Sequence, residues 1–140
     1  MRALLGTDVV IDVVLARAPV AKDATVLLDL CERGMFEDYV SAITPVNISY
    51  IARKALDGAR LRQVIGRLLR AVRVCPVDHA ALLRALHAPI ADYEGAVQHA
   101  CAEASRLGAV VTRNLADYKN AAVPVHSPAA FLERLASQQP

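Results

Sequence analysis

Six side chains in this sequence are of the kinds that do phosphate or metal chemistry: Asp8, Asn47, Asp92, Glu94, Asn114 and Asp117. Asp8 follows the apolar run Ala3-Leu4-Leu5. Asn114 and Asp117 follow Ala109-Val110-Val111 within the stretch Thr112-Arg113-Asn114-Leu115-Ala116-Asp117. Acids gathered at one end of a sheet suggest Mg²⁺ or Mn²⁺, which prefer oxygen ligands and can activate water against a phosphodiester. A second reading has equal standing on the residues alone. Asp8, Asp78 and Asp92 each stand where a helix should begin, and an acid there caps free N–H groups and complements the helix dipole.

The elements that must position these residues follow from periodicity. Ala3-Leu4-Leu5 reads as a short buried strand, with Thr7 a cap for a helix running to about Arg17 and stopped by Pro19. Ala24, Leu27, Leu28 and Cys31 recur at helical spacing between Ala21 and Arg33, before Gly34. Tyr39-Val40-Ser41-Ala42 is a second strand, and Thr44-Pro45 opens a helix by hydroxyl cap and first-turn proline. Leu61, Val64, Ile65, Leu68, Leu69 and Val72 form one apolar helical stripe. A third strand lies within Val72-Arg73-Val74-Cys75-Pro76-Val77. Asp78 caps a short helix ending near His87. Asp92 caps another, with Tyr93, Ala96, Val97, Ala100, Cys101, Ala104 and Leu107 inward and Gly108 at its end. Ala109-Val110-Val111-Thr112 is a strand buried on both faces. Val123-Pro124-Val125 is a brief fifth, and Ser127-Pro128 starts a last helix through Leu135.

Strands separated by helices specify a parallel sheet covered on both faces. The expected fold is α/β: a three-layer α/β/α sandwich around a mainly parallel sheet of four to five strands. One domain is expected over residues 1–136, with 137–140 a frayed tail. Ligands of such sheets bind beyond the carboxyl ends of the strands, where the six polar residues gather.

Composition narrows the function classes. With 140 residues, 55% of them apolar, the chain can bury a core without disulfides or metals. No apolar run is long enough to span a bilayer. Met1-Arg2-Ala3-Leu4-Leu5 begins like a signal peptide, but Asp8 and Asp12 interrupt it too early. Three widely spaced cysteines, Cys31, Cys75 and Cys101, argue for reduced thiols in the cytoplasm and against a zinc site. His79, His87, His99 and His126 show no ligand spacing. The net charge of +2 does not by itself imply nucleic-acid binding. Locally, Arg53, Lys54, Arg60, Arg62, Arg67, Arg70 and Arg73 face a single acid, Asp57. They are either an RNA-backbone track or a solvated helix face.

Ordered segments over nearly the whole chain resemble the PIN domain of small VapC-like ribonucleases. They are Leu4-Leu5-Gly6-Thr7-Asp8, Ser41-Ala42-Ile43-Thr44-Pro45-Val46-Asn47, Asp92-Tyr93-Glu94-Gly95-Ala96, and Val111-Thr112-Arg113-Asn114-Leu115-Ala116-Asp117-Tyr118. The closing Val123-Pro124-Val125-His126-Ser127-Pro128 is similar too. The resemblance implies a Mg²⁺- or Mn²⁺-dependent endoribonuclease, the toxin half of a toxin–antitoxin pair. Its implied partners are RNA, an antitoxin protein and a second copy of itself, with no membrane.

Two departures stand out. Related sequences carry an acid where this chain has Gly6, and Asp8 falls where they have Asn. The last acid of the helix motif is Gly95 here. The resemblance would make Asp8, Asp117 and either Asp92 or Glu94 metal ligands, with Glu94 preferred. Asn47 and Asn114 would orient the phosphate or a metal-bound water. With two carboxylates replaced by glycine, metal binding is expected to be poor. The expected protein is a PIN-type nuclease with weakened or lost RNA hydrolysis. The alternative is a non-catalytic pseudoenzyme module that binds RNA, an antitoxin or itself.

Overall fold

The computed structural model describes residues 1–138. Its centre is a sheet of five parallel strands: β1 (Arg2–Leu5), β2 (Glu37–Ser41), β3 (Arg73–Cys75), β4 (Ala109–Val111) and β5 (Val125–His126). They lie in the order β3-β2-β1-β4-β5, with Arg2 beside Glu37 and Ala3 beside Ala109. Seven α-helices occur among the described residues: α1 (Thr7–Val14), α2 (Ala21–Glu32), α3 (Ile43–Ile51), α4 (Gly58–Ala71), α5 (His79–Leu86), α6 (Tyr93–Ala104) and α7 (Pro128–Ser137). The three-layer α/β/α sandwich expected from the sequence is the observed fold. No helix among these residues is long and apolar enough to cross a membrane.

Alternation along the strands sorts the core into two layers. Ala3, Leu5, Val40, Ala109 and Val111 face α1, α2, α4 and α7, with Phe131 of α7 packed edge-on against Phe36. Leu4, Tyr39, Cys75 and Val110 face α5 and α6. The chain moves from β1 to β2 and β3 on one side, then returns to β4 on the other. The strand order therefore reverses between β1 and β4, where a crevice opens at their carboxyl ends.

Several local expectations change. Thr7 and Thr44 do not cap: Gly6 and Ala42 hold the N-cap positions, and neither helix has a side-chain cap. The two threonine hydroxyls instead hydrogen-bond each other at 3.0 Å, with Ser41 3.3 Å from Thr44. Asp57, Asp78, Asp92 and Ser127 do cap α4, α5, α6 and α7. Helix α6 ends at Ala104, before Arg106 turns to φ 55°, so Gly108 is not its stop. Tyr93 and Ala104 point outward, while Gln98 and His99 are buried on that helix. Leu69 is also exposed, which breaks the α4 stripe. The fifth strand is Val125–His126 rather than 123–125. Of the tail expected to fray, Ser137 closes α7, and residues 139 and 140 lie outside the described residues.

Asp38 on β2 is buried among the apolar residues, and neither carboxyl oxygen meets a donor in hydrogen-bonding geometry. Burial raises its pKa well above the ordinary value; only the nearby Tyr39 N–H pulls the other way. Above the unfolded carboxyl pKa of about 3.9, the unfolded chain ionises while folded Asp38 keeps its proton. The protein binds more protons when folded in that window, so stability falls as pH rises through it. Asp38→Asn should remove this slope. Its stability relative to the native chain should be least favourable near pH 4 and improve steadily as pH rises, read by urea denaturation across the pH range.

Candidate active site

Four pieces of chain meet at the crevice: the β1–α1 junction with Gly6 and Asp8, the middle of α3 with Asn47, the first turns of α6, and the segment after β4. A 3₁₀ turn, Leu115–Tyr118, carries Asp117 in that last segment. The backbone sets the frame. Gly6 N–H donates to Val111 O at 2.9 Å, tying the end of β1 to the end of β4.

The segment after β4 is held by an ion pair. Asp12 of α1 is fully buried, and the Arg113 guanidinium grips both of its oxygens, with Arg17 3.7 Å away. Such two-pronged pairing fixes orientation as well as charge. It places the Arg113 N–H 2.7 Å from Asp8 Oδ2, while the Thr112 hydroxyl donates to both Asp8 oxygens at 3.2 and 3.1 Å. Asn114 is exposed and joins through its backbone: its N–H meets Thr112 Oγ1 and its carbonyl accepts from Asp117 N–H.

On α6, Asp92 accepts from the Gly95 N–H at 2.9 Å. Glu94 accepts from Asn47 Nδ2 through one oxygen and from Gln98 Nε2 through the other at 2.9 Å. Gln98 Nε2 also donates to Thr7 Oγ1 at 3.1 Å, joining the Thr7–Thr44–Ser41 hydroxyl rack beneath the site. Gln98 Oε1 is buried without a partner. Burial raises the Glu94 pKa, and the charges of Asp92 and Asp8 add to the rise; hydrogen bonds from Thr7 and Gln98 oppose it.

Tyr118 lies in the middle of these groups. It is buried, and its pKa is pushed up first by burial and then by the charges of Asp8, Asp92, Glu94 and Asp117. Four of the six residues singled out from the sequence therefore lie close enough for their charges to act on one phenol. Asn47 reaches them through Glu94, and Asn114 only through its main chain. Tyr118, Gln98, Thr112 and the Asp12–Arg113 pair were given no role by the sequence. Gln98 had a usable signal, a polar residue one turn beyond Glu94 on an apolar helix. Tyr118 had none, because nothing in the local pattern says that its ring turns back onto α6.

The acids of the site are already partnered. Asp8, Asp92 and Glu94 are each turned to protein donors. Among the described residues no three His, Cys, Asp or Glu side chains converge as an ion requires. Mg²⁺ demands near-octahedral oxygen geometry, which these contacts do not present.

The arginine-rich stretch is only partly linked to this site. Helix α4 runs antiparallel to the strands, so Arg67 and Arg70 lie at the far end of the sheet. Arg67 is 3.5 Å from Glu32, and Arg73 is 3.5 Å from Glu37. A shallow cavity of about 500 Å³ between Arg67, Arg70 and Cys31 opens at that same far end and carries none of the six residues.

Residues 2–116 match the PIN domain family. No curated protein matches the chain. Among solved structures, the chain is similar to VapBC2 from Rickettsia felis bound to a DNA fragment from its promoter. That likeness has 13% identity and a TM-score of 0.71, covering 91% of this chain and 98% of that one. DNA-bound VapBC from Salmonella typhimurium gives 19% identity and a TM-score of 0.68 over 91% and 98%. A toxin–antitoxin complex from Klebsiella pneumoniae gives 22% and 0.66 over 90% and 97%. At these identities the likeness is one of fold.

Because Asp12 is buried, removing Arg113 takes away its two hydrogen-bonded contacts and leaves the carboxylate only the longer pairing with Arg17 at 3.7 Å. Arg113→Ala should cost about 2–4 kcal/mol in chemical denaturation. Arg113→Lys should recover less than half of that, since an ammonium cannot reproduce the paired contact.

Proposed function

The chain belongs to the PIN-domain family, and we propose that it is a VapC-like toxin relative whose metal-dependent RNA hydrolysis is weakened or lost. One observation carries this reading: the acids of the site are already engaged with protein donors, Asp8 with Thr112 and Arg113, Asp92 with Gly95, Glu94 with Asn47 and Gln98. Were an ion held here, Asp117 and either Asp92 or Glu94 would be its ligands, with Asp8 substituting from two residues beyond the family's acid position at Gly6, and Asn47 and Asn114 would orient the phosphate. With glycine at 6 and 95, two further carboxylates are missing. Hydrolysis by water needs a strong local positive charge on the phosphate and a means of generating hydroxide. This set of side chains supplies neither: its acids are held by protein donors, and Arg113 is spent on Asp12.

What remains is recognition. The neighbouring complexes from Rickettsia, Salmonella and Klebsiella pair such domains with antitoxins. This chain offers an apolar groove of about 330 Å³ between α1, α2 and α4, lined by Val10, Val13, Val14, Leu28, Val64 and Leu68. Asp29, Glu32 and Arg67 edge it, so an amphipathic antitoxin segment carrying a basic residue fits its chemistry. Large apolar side chains are also exposed on α3 (Val46, Tyr50) and α5 (Leu82, Leu83, Leu86). We assign these to pairing with a second copy. Three buried unpaired thiols suit the reducing cytoplasm.

Incubated with a mixed RNA pool and Mn²⁺, the chain should cut no faster than an EDTA control, and Asp117→Ala should change nothing. Cleavage that EDTA and Asp117→Ala both abolish would overturn the reading. Light scattering after size exclusion should give the mass of two copies, and Leu86→Glu should reduce it to one. An unchanged mass would remove α5 from the interface.

A further inference from the structure

The two glycines of the site are not empty places. Gly6 has φ −65° and ψ 156°, a conformation open to every residue, so its backbone does not require glycine. Space does. A Cβ there would lie 2.6 Å from Asp8 Oδ1, 3.3 Å from Val111 O and 3.4 Å from Gln98 Oε1. Asp8 is no loose chain end that could swing aside, because Thr112 and the Arg113 N–H hold its two oxygens.

Gly95 repeats the pattern. It is helical, where alanine is favoured over glycine by about 1 kcal/mol. A Cβ there would meet Tyr118 Oη at 2.9 Å and Tyr118 Cζ at 3.2 Å, with Asp92 Oδ2 at 3.4 Å. The Tyr118 ring is rigid and only 6% exposed, so it has little room to yield. Each vacancy left by a missing carboxylate is thus occupied by a neighbour: Asp8 beside residue 6, Tyr118 beside residue 95.

We propose that Asp8 and Tyr118 are stoppers that fill the cation site, so that carboxylates at 6 and 95 rebuild it only after both are cut back. This rests on the reading of the protein as a PIN domain with lost hydrolysis. It adds that the loss is locked in by packing and is not reversed at the two glycines alone. The stoppers take the space nearest each glycine, although Asp8, Glu94 and Asp117 stay partly open to water and Asp92 is exposed.

Stability and metal binding test it on the full chain. Helix propensity alone predicts that Gly95→Ala raises Tm by roughly 3–5 °C. The stopper predicts a fall of similar size from overpacking, which Tyr118→Phe in the same chain should largely remove. A rise in Tm for Gly95→Ala with Tyr118 intact, or additive effects in that cycle, would overturn the proposal. Calorimetric titration with Mn²⁺ gives the second readout. Gly6→Asp with Gly95→Asp should bind no better than the native chain, whereas adding Asp8→Ala and Tyr118→Phe should tighten binding at least tenfold. Tight binding by the two-site variant, or no gain in the four-site variant, would also overturn it. Mn²⁺-dependent RNA cleavage by the native chain is a different result: it would sink the proposed loss of hydrolysis itself.

Discussion

The buried carboxylate of Asp12 is the constraint from which the site is built. A charge taken out of water must find an opposite charge, and beside the looser Arg17 the two-pronged partner is Arg113, 101 residues further along the chain. Meeting that demand draws the segment after β4 across the mouth of β1. Once Arg113 is seated, its own N–H and the neighbouring Thr112 hydroxyl fall onto Asp8. The 3₁₀ turn that follows then carries Asp117 and Tyr118 over the start of α6. The polar face of the crevice is in this sense a by-product of neutralising one acid on α1.

Beneath it, the hydroxyl rack of Thr7, Thr44 and Ser41, extended by Gln98, joins α1, β2, α3 and α6 without any charge. Such a network resists rearrangement, because each hydroxyl that turned away would leave a buried partner unpaired. Gln98 Oε1 is the exception, a buried acceptor with no donor, and it points at the same few cubic ångströms that Gly6 leaves to Asp8. The site is rigid below and crowded above.

The sequence was most legible where one physical rule governs a residue. Strands such as Ala109–Val111 follow from apolar runs, and the caps at Asp78, Asp92 and Ser127 follow from position, and all of these appear in the structure. It was least legible where one residue type serves two rules. Thr7 and Thr44 look like caps because a hydroxyl that can cap can equally join a buried hydrogen bond, and only the meeting of α1 with α3 decides between them. Tyr93 and Leu69 looked inward because period alone cannot say how wide a buried face is. The glycines were read as losses, since a sequence records a missing side chain but not the neighbour that moves into its place.

The opposite ends of the strands carry opposite electrical character. Asp8, Asp92, Glu94 and Asp117 gather at the carboxyl end, whereas Arg2, Arg67, Arg70 and Arg73 stand at the amino end, only partly offset by Glu32 and Glu37. An acidic cluster and a basic one are thus set apart along the strand direction, although Glu37 and Glu32 pair with Arg2, Arg73 and Arg67, and Arg113 stands among the acids. Salt screens such a separation over a Debye length, so it acts on charged solutes mainly at low ionic strength.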